Sequence, residues 1–297
     1  MDIIDFHIHL WPDKIAQKAK EYLEHSYRRQ MTDVPTVNNA IKIMDEVGIT
    51  KSVIASVASR PEQVEHINNW LFNIKSDRFI KFAALHPFYE KWSYELDRIK
   101  DNAMGIKYQP EFQMFFIDDE KIFPVYEKIQ KLQIPILFHC GYELTLTGLI
   151  QAGPKQMLNV KKYFPEIKFI AAHMGGFMLW DEIEDKIIGN NYFFLDTSSA
   201  VIFMKKEQVY RFFKKHSQDK ILFGSDFPFG HPKKDLDFFK TLDIEKDKLE
   251  KIMHINAEKL LNLKKGLSTA IKLKRVFGGF QWSLEKLDKI ESVKTYN

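Results

Sequence analysis

MDIIDFHIHL, residues 1–10, combines a short apolar run with two histidines spaced two residues apart. The β-branched and aromatic residues at 2–9 predict a buried β-strand that begins almost at the first residue. Side chains two apart on a strand point to the same side, so His7 and His9 are expected to face the interior together, with Asp5 one layer deeper. The stretch therefore predicts a strand whose end carries two converging imidazoles.

Similar apolar runs recur along the chain, and amphipathic stretches lie between them. The predicted strands are residues 2–9, 52–56, 80–86, 104–108, 134–139, 168–173, 192–197 and 220–226. The predicted helices are residues 37–47, 61–76, 90–100, 119–132, 155–163, 205–215 and 246–262. This alternation predicts an α/β fold, and no Gly-x-Gly-x-x-Gly turn follows the first strand. We therefore expect a (β/α)₈ TIM barrel over residues 1–263.

Composition restricts the class of protein. The chain has 297 residues, of which 45% are hydrophobic and 28% charged, as in an ordinary folded protein. Its single cysteine, Cys140, excludes an intrachain disulfide, and residues 1–10 lack the features of a signal peptide. No apolar run approaches the ~20 residues that a membrane helix needs. A cytoplasmic protein without a membrane span is expected.

Positive charge is concentrated after residue 263. The chain has a net charge of +4, but residues 264–297 alone carry eight Lys and Arg against three Asp and Glu. The barrel region is therefore close to neutral, which argues against a nucleic-acid partner. Residues 264–297 form a basic C-terminal extension that also contains apolar side chains, and we expect a helix packed on the barrel or on a second subunit of a homodimer. A membrane-surface segment is the alternative.

Residues able to do chemistry occur at the ends of the predicted strands, where barrel enzymes place their active sites. A lone His-x-His pair is more often a pair of hydrogen-bonded core residues. Four histidines and an aspartate at four separate strand ends favour a metal site, and imidazole nitrogen suits zinc and other transition metals. These residues are His7, His9, His139, His173 and Asp226, with His86, Lys107 and Asp196 at other strand ends.

The ordered set of motifs resembles the amidohydrolase superfamily, and within it the amidohydrolase-related (amidohydrolase 2) branch that includes aminocarboxymuconate semialdehyde decarboxylase. The resemblance covers about residues 1–263. The motifs are Asp5-Phe6-His7-Ile8-His9, Gly105-Ile106-Lys107, Phe138-His139-Cys140-Gly141, Ala172-His173-Met174-Gly175-Gly176, Gly224-Ser225-Asp226-Phe227-Pro228 and Asn256-Ala257-Glu258-Lys259-Leu260-Leu261.

The resemblance implies that His7, His9, His139 and Asp226 bind one divalent transition metal, expected to be Zn²⁺, which activates a water. Asp226 would then act as general base. His173 would orient the hydroxide or polarise the substrate, or would itself be a ligand.

Lys107 has two interpretations. In some related barrels the lysine at this strand end is carboxylated and bridges two metals; the plainer alternative is an ordinary lysine that binds a substrate carboxylate. We favour one ion. His86 is a candidate pocket residue, and the segment 196–198 is expected to hydrogen-bond either a substrate or the neighbouring loop backbone.

The expected activity is hydrolysis of a small ester, lactone or amide. The alternative is metal-dependent non-oxidative decarboxylation, or hydration, of a small unsaturated or aromatic carboxylic acid, because both chemistries use the same metal shell. A non-enzymatic barrel scaffold is a second alternative, which the intact set of candidate ligands disfavours. In every case but the last, the partner is a small-molecule substrate.

Overall fold

The fold is an eight-stranded parallel barrel, as predicted. The computed structural model describes residues 1–31, 33–146 and 148–263. The strands pair in chain order. They are β1 (Ile4–Ile8), β2 (Lys51–Ala55), β3 (Phe79–Ala84), β4 (Gly105–Tyr108), β5 (Ile136–Phe138), β6 (Phe169–Ala171), β7 (Phe193–Asp196) and β8 (Ile221–Leu222). Each overlaps one predicted strand, whereas the expected extension at 264–297 lies outside the described residues.

Backbone hydrogen bonds between β1 and the segment after β8 close the barrel. The Phe6 N–H donates to the Phe223 carbonyl at 2.7 Å, and the Asp226 N–H donates to the His7 carbonyl at 2.8 Å. The His9 N–H donates to the Phe227 carbonyl at 2.7 Å. This closure fixes the first and last strands against each other, and with them the two histidines of the opening sequence and Asp226.

Helices surround the strands, and all seven predicted helices have a counterpart. The α-helices are Asp13–Tyr27, Val37–Val47, Val64–Phe72, Trp92–Asn102, Pro110–Gln113, Phe123–Leu132, Pro154–Tyr163, Trp180–Lys186, Lys206–Lys215, Pro232–Lys240, Lys246–Glu250 and Asn256–Leu260. Short 3₁₀ segments lie at Pro61–Gln63, Glu120–Ile122 and Gln218–Lys220, and a π-helical segment at Lys251–Ile255 interrupts the last predicted helix.

Within the described residues, four helices were not predicted: Asp13–Tyr27, Pro110–Gln113, Trp180–Lys186 and Pro232–Lys240. The longest of them buries only Ala16 and Leu23, so few buried apolar residues mark it in the sequence. Two of the others have fewer than eight residues. A periodic pattern needs about two turns to become visible.

Aromatic side chains fill much of the core between neighbouring strands. The rings of Phe138 and Phe169 stack with centroids 4.5 Å apart, and Phe169 meets Phe193 edge to face at 5.2 Å. Such contacts add to the burial of large apolar surfaces and hold the strands in register. Residues Met1–Leu261 form one compact unit. In the described part of the chain, no helix combines the length and apolar character needed to cross a membrane.

Candidate metal centre

The polar residues predicted from the strand ends come together at one end of the barrel. Parallel strands place their carboxyl ends on the same face, so residues far apart in sequence become neighbours. Nearly all are buried; His9, the most exposed, keeps only 11% of its side-chain surface. They are His7 and His9 at β1, Lys107 in β4, His139 after β5, His173 after β6, Asp196 at the end of β7 and Asp226 after β8.

His7, His9 and Asp226 form the tightest group. Their candidate ligand atoms all lie within 4.8 Å of one another, and this is the metal-type group found among the described residues. Asp226 Oδ1 lies 3.4 Å from His9 Nε2 and 3.7 Å from His7 Nε2. The two Nε2 atoms are 3.2 Å apart. Three of the four ligands implied by the family resemblance are thus adjacent.

The hydrogen bonds made by Nδ1 of His7 and of His9 fix the tautomers of these two imidazoles. His9 Nδ1 lies 2.8 Å from the carbonyl oxygen of Ala55, which can only accept, so this nitrogen donates. His7 Nδ1 lies 2.9 Å from Asp196 Oδ2 and donates to that carboxylate. Both Nε2 atoms therefore carry lone pairs directed at each other and at Asp226. Such a group is stable around a cation, and nitrogen and carboxylate donors fit a divalent transition metal.

His139 and His173 form a second pair beside this group. His173 Nδ1 donates to the Ser198 carbonyl at 2.9 Å, and His139 Nε2 lies 3.3 Å from the Tyr142 carbonyl, to which it donates. The remaining nitrogens, His173 Nε2 and His139 Nδ1, are 2.9 Å apart. With both outer nitrogens donating, a proton or a cation must lie between the two inner ones. His139 is thus close to the predicted ligands but is paired with His173, and its role as a ligand stays a prediction.

Asp196 is the main positioning residue of the centre. Its side chain is fully buried. Besides holding His7, it accepts hydrogen bonds from the backbone N–H groups of His173 at 3.1 Å and Ser198 at 3.0 Å. It therefore orients one histidine from each cluster, much as carboxylates behind metal-binding histidines do in other proteins. The sequence indicated hydrogen bonding by this segment but not the partners.

Asp226 is held in place by backbone and side-chain contacts. Its φ angle is 63°, and that of His173 is 59°, in the left-handed region that non-glycine residues rarely adopt. Ser199 Oγ donates to Asp226 Oδ2 at 2.7 Å. Burial alone would raise the pKa of Asp226, but its contacts with His9, His7 and His173 lower it below its usual value. Asp226 is therefore an ionised carboxylate, as a metal ligand must be.

Lys107 lies directly against the histidines. It is 1% exposed, and its Nζ is 3.2 Å from His7 Nε2. Burial lowers the pKa of Lys107 to about 8, although Asp196 and Asp226 oppose the shift. Burial and this cation also lower the pKa of His7 well below its ordinary value, which keeps the imidazole neutral and able to bind metal. This position suits both interpretations of Lys107.

His86 has a local role in the structure. It is buried, and its Nδ1 accepts a hydrogen bond from the Phe88 N–H at 3.2 Å. Burial lowers its pKa. The hydrogen bond belongs to the turn that leaves β3, so a place in the substrate pocket stays a prediction.

Aromatic rings flank the centre on two sides, and sequence reasoning did not identify them. Phe229 lies 5.7 Å from the ring of His9, and Tyr27 lies 4.9 Å from Phe229. On the other side, Phe177 meets the ring of His173 at 5.9 Å. Tyr27 belongs to helix Asp13–Tyr27, one of those that were not predicted, and its distance from Phe229 in the sequence gives no hint of contact. A flat apolar ligand would find rings beside the metal-binding atoms.

A barrel with a metal-type cluster at its strand ends is typical of metal-dependent enzymes. Comparison of the sequence with known families identifies the family. The family model described as amidohydrolase matches residues 4–263. The chain therefore belongs to the amidohydrolase family, in the amidohydrolase 2 branch expected from its motifs. Membership indicates an enzyme, a hydrolase or a lyase, and not the scaffold considered as an alternative. No curated protein sequence matches the chain.

Solved structures share the fold at low sequence identity. A TIM-barrel protein from Bordetella bronchiseptica has a TM-score of 0.70 and 19% identity, covering 88% of this chain and 99% of its own. A dihydroxybenzoic acid decarboxylase from Polaromonas, with manganese and 2-nitroresorcinol bound, has a TM-score of 0.66 and 19% identity, covering 88% and 97%. A 5-carboxyvanillate decarboxylase from Sphingomonas paucimobilis has a TM-score of 0.67 and 14% identity, covering 89% and 99%. These likenesses confirm the barrel.

Proposed function

We propose that this protein is a metal-dependent non-oxidative decarboxylase of a small aromatic or unsaturated carboxylic acid. The observation that carries the proposal is the convergence of the His7 and His9 lone pairs on the Asp226 carboxylate. Decarboxylation is favoured over the expected hydrolysis because the similar structures include dihydroxybenzoate and carboxyvanillate decarboxylases. The alternative drawn from sequence is thus better supported than the main expectation.

His7, His9 and Asp226 would hold the metal, with His139 as the proposed fourth ligand. A divalent ion bound there would act as a Lewis acid towards the oxygen atoms of the substrate. Zinc is the expectation from imidazole ligands, whereas one similar decarboxylase holds manganese, and a mixed nitrogen and carboxylate donor set accepts either. One ion is favoured because the three-residue group has donor atoms for a single site.

The reaction replaces a carboxylate by a hydrogen atom. The bond between the substrate carbon and its carboxylate breaks, CO₂ leaves, and the electron pair left on that carbon takes a proton. We assign this proton to His173, whose Nε2 lies 2.9 Å from His139 Nδ1 and would carry the proton when that nitrogen serves as the fourth ligand. His173 Nε2 would deliver it, while Asp226 stays ionised.

Lys107 and the aromatic rings would position the substrate. The Lys107 Nζ lies 3.2 Å from His7 Nε2, beside the proposed metal ligands, and in its protonated form it would attract the carboxylate that leaves. Phe229 and Phe177 lie against histidines of the two clusters and would contact the faces or edges of a planar ring. The carboxylated form of Lys107 remains the alternative to this role.

A substrate panel tests the proposal. Purified protein loaded with Mn²⁺ or Zn²⁺ should release CO₂ from one or more hydroxybenzoates or unsaturated acids. In D₂O, the product should carry deuterium at the carbon that lost the carboxylate. Turnover of lactones or nitrophenyl esters without CO₂ release from any acid would instead support the hydrolase.

A further inference from the structure

Ser198 lies in the segment that follows β7 and is fully buried against both histidine clusters. Its hydroxyl oxygen is 2.9 Å from His7 Nδ1 and 3.1 Å from His173 Nδ1. The first ring belongs to the candidate metal group, and the second is the proposed proton donor. The two rings stack with their centroids 5.4 Å apart. One small side chain therefore contacts an imidazole from each cluster.

The hydrogen of the Ser198 hydroxyl can be assigned from its three neighbours. His7 Nδ1 and His173 Nδ1 both carry hydrogen, because they donate to Asp196 Oδ2 and to the Ser198 carbonyl, each at 2.9 Å. Asp196 Oδ1 is an acceptor that already receives two backbone N–H groups, and the hydroxyl contacts it directly. The hydroxyl therefore donates to Asp196, and its two lone pairs face the two ring N–H groups.

Each ring N–H is consequently shared between two acceptors. His7 Nδ1 is shared between Asp196 and the Ser198 hydroxyl, and His173 Nδ1 between the hydroxyl and the carbonyl of the same serine. Because Asp196 orients the hydroxyl, this carboxylate acts on the side chain of His173 as well as on that of His7. A buried hydrogen-bond network whose members are all paired holds its groups in one arrangement.

Other buried serines of the barrel do not have this environment. The hydroxyl oxygens of Ser52 and Ser56 have no hydrogen-bond partner among the described residues. The Ser199 hydroxyl donates to Asp226 at 2.7 Å. Burial of a serine in this barrel thus does not by itself bring its hydroxyl against two imidazoles, and the contacts of Ser198 call for a specific role.

We propose that Ser198 is a positioning residue that holds the proton donor His173 in a fixed orientation relative to the metal ligand His7. The catalytic consequence rests on the proposed function, whereas the shared hydrogen bonds do not. Displacement of a reacting group by about 1 Å can cost about 10²-fold in rate, so delivery of a proton to a substrate at the metal centre needs a fixed ring. Without the hydroxyl, each ring keeps one acceptor and can turn.

Imidazole NMR tests the shared hydrogen bonds without any turnover. The sample is full-length, Zn²⁺-loaded protein with ¹⁵N in its ten histidines, and the signals are assigned from their through-space contacts. In Ser198→Ala, the Nδ1–H proton signals of His7 and His173 should both move upfield, because each loses an acceptor. His9 is the internal reference, since its Nδ1 donates to the Ala55 carbonyl. Its signal should stay in place.

Steady-state kinetics on the best substrate of the panel give the second readout. Ser198→Ala should retain stoichiometric metal and lose about 10- to 100-fold in kcat, with KM changed by less than about threefold. Ser52→Ala, at a buried position of β2, is the matched control and should keep kcat and all three NMR signals. If Ser198→Ala does not fold, Ser198→Cys replaces it, because a thiol is a weaker donor and acceptor and should change the same quantities in the same direction.

An unmoved signal of His7 or of His173, an equal movement of the His9 signal, or an unchanged kcat would overturn the inference. Because the NMR readout needs no substrate, the two proposals can fail separately. Movement of both signals in a protein that releases no CO₂ from any acid would sink the decarboxylase and keep the shared hydrogen bonds. Release of CO₂ by a protein whose signals do not move would sink only the role of Ser198.

Discussion

In His7 and His9, the two ring nitrogens of each imidazole have different roles. The outer nitrogens of His7 and His9 donate to Asp196 and to a backbone carbonyl, which leaves the inner nitrogens as lone pairs. The sequence predicted which histidines would meet, because each ends an apolar run at a strand end. It could not predict the carboxylate behind His7, since that contact joins residues 189 positions apart.

Asp196→Asn tests this positioning role. The amide keeps the size of the side chain but removes the charge that holds the His7 N–H. We expect metal affinity to fall about 10- to 100-fold in a competition titration, with little change in folding. Asp185→Asn, at an exposed position in helix Trp180–Lys186, should leave affinity unchanged. Equal affinities for both variants would show that Asp196 does not support the metal.

Substitution of single histidines separates ligands from the proposed proton donor. His9→Gln should lose stoichiometric metal, measured by elemental analysis. His173→Gln should retain the metal but lose about 10²- to 10⁴-fold in turnover, the usual contribution of a general acid. The exposed His66 provides a control through His66→Gln, which should change neither. Loss of metal from His173→Gln would instead make His173 a ligand, the alternative drawn from sequence.

At the scale of elements, β1 and the segment after β8 supply the three residues of the tightest group, His7, His9 and Asp226. The opening run was recognised as a strand from its apolar residues, and barrel closure brings Asp226 to it through backbone hydrogen bonds. Helix Asp13–Tyr27 was missed because it buries only two apolar side chains, and Tyr27, near the candidate metal centre, was missed with it. Helices that contribute to a site but bury few apolar residues are thus hard to identify from sequence.

Helix Pro232–Lys240 contains a buried acid that should destabilise the fold at high pH. Asp235 is fully buried, and neither carboxylate oxygen has a hydrogen-bond partner among the described residues. Burial, with the charges of Asp5 and Asp226, raises its pKa to about 8. The folded state therefore holds this proton more tightly than the unfolded chain, so stability falls as pH rises from about 4 to about 8 and levels off above.

Asp235→Asn should remove this loss. We expect the free energy of unfolding at about pH 8.5 to increase by about 1–3 kcal/mol, with little change near pH 4, in denaturant titrations. Asp237→Asn provides a control of opposite sign in the same helix, because Asp237 pairs with Lys233 and Lys240 at the surface. An Asp235→Asn protein no more stable than the parent at high pH would contradict the buried-charge explanation.

For the whole molecule, the sequence predicted the architecture and the candidate ligands more completely than the chemistry. The apolar runs of the strands and the polar residues at their ends predict the barrel, because both patterns lie within short stretches of sequence. The aromatic rings at Phe229 and Phe177, and the pairing of His139 with His173, depend on distances that no local pattern encodes. The strand-end residues by themselves are compatible with both hydrolysis and decarboxylation, which is why the sequence left both open.

The most direct test is metal-dependent release of CO₂ from a single substrate of the panel. Protein stripped with a chelator should be inactive, and one equivalent of Mn²⁺ or Zn²⁺ should restore CO₂ release in proportion to bound metal. His9→Gln should not be restored, because a ligand is missing. Full CO₂ release by metal-free protein, or ester hydrolysis without CO₂ release after metal is restored, would contradict a metal-dependent decarboxylase.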